Sequence, residues 1–309
     1  MPSQDAQKQR RAYVGGRFSL ELDGHDVGLV TSVDGGSFRS EAIGEQVGGE
    51  NLVTRYPGRQ KFDDISLQVG STMAPSFWAW VKDSIDGKPS RRDGAIVTRD
   101  ADSWERARRQ FHRALLAEVQ FPELDAKAKG PKLLTVKIAP ELLSYEQRSV
   151  PPPKSQNVDA TKQKKAVPAN FSLALEGMDR EVTRHVTKVE AFSIKQNVID
   201  NPVGGLPYPM REAGRLEFPT LSVHVPETYA KPWFDWWQEF VGRGNHVQKN
   251  ERTGSIAYLD STLAQTLLTL HLYGVGITSI GFDKHEADAD GIRTVKVDLY
   301  VESIALQAA

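Results

Sequence analysis

The sequence predicts a mainly β protein with flanking helices: two tandem β-barrel or sandwich domains, each carrying one amphipathic helix. Three observations lead there. Short segments alternate apolar and polar residues with the period of two that a half-buried strand requires. Tryptophan-rich stretches repeat at helical spacing. The same ordered set of segments occurs twice in 309 residues, on either side of a basic, proline-rich stretch.

That stretch, Val150-Pro151-Pro152-Pro153-Lys154 through Thr161-Lys162-Gln163-Lys164-Lys165, has no apolar periodicity. Consecutive prolines favour extended geometry and the lysines stay solvated, so it cannot offset its own ordering entropy. It reads as a linker over 147–169, between domains at 16–146 and 170–309. Residues 1–15 are polar and basic with no apolar segment behind them, and read as a disordered tail rather than a secretory signal.

The two halves match in order. Phe18-Ser19-Leu20-Glu21-Leu22-Asp23-Gly24 returns as Phe171-Ser172-Leu173-Ala174-Leu175-Glu176-Gly177. Each alternates and ends in an acid-Gly turn, the pattern of a strand entering a hairpin. Ile65-Ser66-Leu67-Gln68-Val69 pairs with Leu221-Ser222-Val223-His224-Val225. An aromatic helix follows each, with proline in the first turn and glycine stopping it at Gly87 and Gly242. Trp233, Trp236, Trp237 and Phe240 share one face, and Phe77, Val81 and Ile85 form the first helix's stripe; with Trp80 these aromatics and Val81 are the expected core anchors. Gly94-Ala95-Ile96 then matches Gly254-Ser255-Ile256, and Thr135-Val136-Lys137-Ile138 matches Thr294-Val295-Lys296-Val297. Arg106–Val119 is helix-permissive, but its counterpart runs into Gly274-Val275-Gly276-Ile277, where β-branched residues alternate with glycine; both are read as strands.

Composition narrows the function. Hydrophobic residues are 39% and charged residues 26%, ordinary for a globular protein. No run of 18 apolar residues occurs, so no membrane insertion is expected. The absence of cysteine removes disulfides, thiolate zinc sites and thiol nucleophiles, and suits folding in the cytoplasm. Net charge is −1, distributed as +2 over 1–15, −1 over 16–145, +3 over 146–169 and −5 over 170–309. No global field draws the chain to nucleic acid, and no sequence recognition is expected.

Motifs for chemistry do not hold. Glu286-x-Asp288-x-Asp290-Gly291 has the opening rhythm of a calcium loop, but its twelfth position is Val297 rather than a carboxylate; an acidic hairpin tip is expected instead. Gly274-Val275-Gly276 lacks the third glycine of a dinucleotide loop, at Ser279. The seven histidines show no metal-ligand spacing. Asp63 and Asp64, adjacent on a strand, point to opposite faces. Arg106, Arg108, Arg109 and Arg113 read as a solvated or subunit-contacting face. No catalytic residue, metal or cofactor is expected, and the role is read as non-enzymatic.

The first half resembles the phage-type tail tube proteins of contractile tails and extracellular contractile injection systems. The resemblance spans roughly 16–146. It is carried by Phe18–Gly24 with Ser32-Val33-Asp34-Gly35-Gly36, by Phe77-Trp78-x-Trp80, by Arg109–Ala126 and by Thr135–Glu141. The second half resembles a diverged copy, through Phe171–Gly177 and Leu216–Trp237. The resemblance implies a twisted β-barrel or sandwich with a helix on its flank, six such domains closing into a ring, and rings stacking. It also implies a long ring-stacking loop, here about Glu41–Lys61 and Asn197–Arg215, with candidate residues Gly44, Gly48, Gly49, Arg55, Tyr56, Gly204, Gly205 and Tyr208.

A tandem chain departs from the single-domain members. Three copies would supply six domains, a pseudo-six-fold ring suited to a tube protein, a tube–spike adaptor or a terminal ring or plug. The expected partners are further copies of the chain, then inner tube and spike or baseplate proteins, in a particle assembled from the cytoplasm. The competing expectation is a soluble two-domain β binding module that does not assemble.

Overall fold

The computed structural model describes residues 16–46, 53–88, 90–128, 130, 133–151, 169–283 and 292–308. The tail at 1–15, most of the linker and the acidic Glu286–Gly291 segment lie outside them.

In the first half, β1 (Arg17–Leu22) turns at Asp23-Gly24 into β2 (His25–Gly35). Next come β3 (Phe38–Gln46), β4 (Val53–Phe62), β5 (Ile65–Val69) and helix α1 (Pro75–Ile85). The half continues with β6 (Arg92–Arg99), the long β7 (Glu105–Phe121), β8 (Leu124–Asp125), β9 (Leu134–Ala139) and β10 (Leu142–Val150). Strands β7, β6, β1, β2, β5 and β9 pair in that order, and β9 pairs back to β7, closing a barrel. Strand β7 serves two neighbours on each edge and is bent at Arg113, whose φ is 51°. The barrel fills with alternate residues such as Leu20, Ile65, Leu67, Ile96, Phe111 and Val136, and α1 covers it with Phe77, Trp80 and Val81, all buried.

Strand β10 runs through Val150, so the chain is still in a sheet where the linker was expected to begin. The β-reading of Arg106–Val119 and its counterpart matches β7 and β17. Glycine 94 explains one repeated motif: a Cβ there would lie 2.3 Å from the Glu21 carbonyl and 2.4 Å from the Phe111 ring, and Gly254 is similarly hemmed by Ala174 and Leu175.

The second half runs β11 (Phe171–Leu175), the single turn α2 (Arg180–Thr183), β12 (Lys188–Val189), β13 (Phe192–Asn201) and β14 (Met210–Glu217). It then continues through β15 (Leu221–Pro226), α3 (Lys231–Trp237), β16 (Arg252–Leu259), β17 (Thr266–Phe282) and β18 (Thr294–Ala308). Here the expected hairpin after Gly177 does not form. Asp179 accepts a hydrogen bond from the Glu181 amide and caps α2 instead, which carries the chain away from β11. Strands β11-β16-β17-β18-β15-β12 pair in order and, among the described residues, the set stays open between β11 and β12.

Trp233, Trp236 and Phe240 are buried as the α3 stripe, while Trp237 is half-buried with its Nε1 donating to the Thr278 carbonyl. The helix loosens into a π-turn over Gln238–Gly242 before its glycine.

Candidate assembly surface

Among the described residues, the notable feature is a seam between the halves, bordered by a polar cleft that Asp64, Glu118, Lys137, Lys195 and Glu217 line. Residues 118–121 of β7 pair antiparallel with 192–195 of β13, with Phe121 opposite Phe192, Val119 opposite Ile194 and Glu118 opposite Lys195. The ladder resumes two residues on, where β8 pairs with β12 as Leu124–Val189 and Asp125–Lys188. Each half thus contributes strand to the other's sheet. Phe121 and Phe192 stack with ring centres 5.0 Å apart, and Lys188 pairs with Glu123 at 2.8 Å. Glu118 loses hydration there, which acts to raise its pKa. Hydrogen bonds from Ser193 and Lys137 outweigh that and hold its carboxyl below the usual range.

A second set of contacts locks the seam. Arg211 of β14 reaches Asp64, donates to the Phe62 carbonyl at 2.9 Å, and its amide donates to Glu141 Oε1 at 3.1 Å. The Glu141 carboxylate is buried and also meets Arg113 at 2.8 Å and Arg91 at 3.5 Å. A buried charge persists only when paired in this way. Close to the Phe121 end of the seam, Trp78 and Met73 face Leu267, Leu306 and Ala308 across a mainly apolar cleft of about 690 Å³.

The predicted residues fall into three groups. The segment expected as a loop over Glu41–Lys61 contains the β3–β4 hairpin, and the one over Asn197–Arg215 contains most of β13–β14. The first was hidden because neither face of β3 is buried, so it shows no apolar alternation. Gly44, Arg55 and Tyr56 are exposed on the first hairpin; Gly48 and Gly49 lie outside the described residues. Gly204 and Gly205 form the turn of the second, and Tyr208 packs on Phe62, with the Gln60 amide donating to the Pro207 carbonyl at 2.9 Å. The two hairpins therefore lie side by side. The helix anchors all sit inside, apart from the half-buried Trp237.

The arginines expected to be solvated or to face a subunit bond within the chain. Arg106 pairs with Asp100, Arg108 with Glu21 and Glu105, Arg113 with Glu141, and Arg109 donates to the Gly35 carbonyl. Asp63 pairs with Arg39 and Asp64 with Arg211, on separate sides. His224 lies between Glu190 at 2.9 Å and Asp283 at 3.0 Å.

The seam residues are the ones sequence reasoning missed, although a signal exists. Thr31-x-Val33-Asp34-Gly35-x-Ser37-Phe38-Arg39 recurs as Thr187-x-Val189-Glu190-Ala191-x-Ser193-Ile194-Lys195, 156 positions on. The same spacing relates Phe62 to Phe218, Ile65 to Leu221 and Phe77 to Trp233. Strand β13 is therefore the second-half counterpart of the chain from Gly36 into β3.

Residues 15–143 match the family model described as T4-like virus tail tube protein gp19. The first half of this chain is similar to the phage-type tail tube family. That match supports a structural role in phage tails or phage-tail-like particles. Among solved structures, the chain is similar to one titled as the anti-feeding prophage tube terminating cap, at 15% identity and TM-score 0.40, over 51% of this chain and 100% of that one. It is also similar to one from an extracellular contractile injection system sheath–tube complex, at 14% identity and TM-score 0.37, over 50% and 100%. The family match, rather than these coarse overlaps, carries the assignment. No curated protein matches in sequence. Among the described residues, no helix is long and apolar enough to cross a membrane.

Proposed function

We propose that this chain forms a ring continuous with the inner tube of a contractile injection particle, as a tube protein, a tube–spike adaptor or a terminal ring. Its two tail-tube-like domains, divided near 147–169, each supply one of six positions, so that three copies complete a pseudo-six-fold circle. The observation that carries this reading is the seam. Two like units are joined through unlike edges, and such a heterologous contact, repeated, closes a ring when its rotation permits.

Supporting physics comes from the borders. An exposed sheet edge invites pairing and calls for cover by another chain. A net charge of −1 lets many copies pack without self-repulsion. The hairpins β3–β4 and β13–β14, set side by side, are the surfaces read as touching the next ring. The role is structural rather than catalytic, and the chain joins tube and spike or baseplate proteins after synthesis in the cytoplasm.

Electron microscopy of the purified protein tests this. The reading expects rings with six lobes of two alternating kinds and three-fold symmetry. Solitary particles of one chain would overturn it.

A further inference from the structure

The seam occupies one edge of each half, and the duplication says which edges remain. In the first half the seam uses β7 from Glu118 onward, on the edge that β6 leaves uncovered. Strand register identifies its counterpart: Glu118 pairs with Lys137 and Val119 with Val136 in β9, as Gly281 pairs with Lys296 and Phe282 with Val295 in β18. Gly281 and Phe282 are therefore the second-half equivalents of Glu118 and Val119. Among the described residues, β16 covers β17 only as far as Val275, so that edge has no strand beside it.

The other seam strand has its counterpart too. Ile194 and Lys195 correspond to Phe38 and Arg39 by the constant spacing of 156. Among the described residues, β3 pairs with β4 alone, whereas β13 pairs with both β14 and β7.

Burial separates the occupied edge from the vacant one. In the seam Val119 and Ile194 are 3% and 2% exposed; their equivalents Phe282 and Phe38 are 66% and 53% exposed. Two largely exposed aromatic rings, Phe38 resting on Phe62 and Phe282 on Phe234, stand at the two positions that the duplication places opposite each other.

We propose that Gly281–Phe282 of one copy pairs antiparallel with Phe38–Arg39 of a second copy of this chain, with Phe282 facing Phe38. The seam inside the chain is then repeated between chains. This rests on the ring reading above and adds the partner strand and its register. A second contact follows from the same mapping. Inside the chain, Trp78 of α1 and Leu306 of β18 line one cleft. Their equivalents are Phe234 on α3 and Tyr145 on β10, the latter exposed. Phe234 already lies against Phe282 at 5.7 Å, so both predicted contacts fall on one continuous aromatic patch.

The chain has no cysteine, so introduced thiols report alone. The double variant Phe38→Cys with Phe282→Cys is treated with a short bis-maleimide, beside each single variant. Covalent products that end at a closed species of three chains, absent from both single variants, are expected. An assembled particle that yields no 38–282 link overturns the register and leaves the ring standing; a protein that never assembles overturns both. Phe282→Asp gives an independent reading. It is expected to remain folded and to lose assembly, and unchanged assembly would overturn the proposal.

Discussion

The first half closes its barrel through the β1–β2 hairpin, whereas the second half, built from corresponding strands, stops short of closure between β11 and β12. The difference traces to the stretch after Gly177. Asp23-Gly24 turns the chain straight back, but Met178–Val186 inserts a capped helical turn and sends β12 toward β8 of the other half. What the second half loses in self-closure it regains at the seam. A duplicated unit can thus use one copy of an edge internally and leave the other without a strand among the described residues.

Removing the seam's aromatic stack is the strongest challenge to that comparison. Phe121→Ala is expected to cost about 3–5 kcal/mol, the usual range for a buried phenylalanine. Hydrogen exchange should quicken across 188–195 before it does in the first-half barrel. The vacant counterpart behaves differently: Phe282→Ala should change the stability of a single chain by no more than about 0.5 kcal/mol, as surface substitutions do. Equal losses in denaturant titrations of the two variants would erase the distinction between seam and free edge.

Gly94→Ala probes whether closure depends on the tight β1–β6 approach. A methyl group 2.3 Å from the Glu21 carbonyl forces the strands apart, at about 1–3 kcal/mol. Gly254→Ala, at the equivalent place in the open half, is expected to cost less, because among the described residues β11 has no second strand partner and can move.

A smaller effect distinguishes the two helices. Trp233 Nε1 is buried without a hydrogen-bond partner among the described residues, and the equivalent residue in the first half is Phe77. Trp233→Phe removes an unsatisfied donor while shrinking the ring, so the two changes oppose each other and thermal unfolding should move by less than about 1 kcal/mol.

Acid should act on the second half. Desolvation works to raise Glu190, yet hydrogen bonds and charge from His224 and Lys296 outweigh it and hold the carboxyl below its usual range. A depressed carboxylate contributes stability above its unfolded pKa, near 4.3, and loses that contribution as pH falls through the folded value. Glu190→Gln should flatten this acidic limb in a pH series of unfolding curves. The first half has Asp34 and Gln68 at the positions of Glu190 and His224, and so lacks this arrangement.

Much of each half was legible locally. Alternation identified β1, β5 and their copies, and helical spacing identified α1 and the α3 stripe, because those patterns follow directly from which face is buried. The exposed β3–β4 hairpin was not legible, since a strand with no buried face leaves no period of two. The seam was hidden for a different reason. Phe121 and Phe192 are each apolar ends of strands, and nothing local says that they meet across 71 residues. Only the unbroken spacing from Thr31 and Thr187 onward, read as a register, points to that edge.

The account stands or falls on how many chains the assembled particle contains. Native mass spectrometry of the intact protein counts them directly. Closure through alternating halves predicts a discrete species of three chains, or stacked multiples of three. A stable single chain at assembly concentrations, or a two-fold dimer, would contradict it.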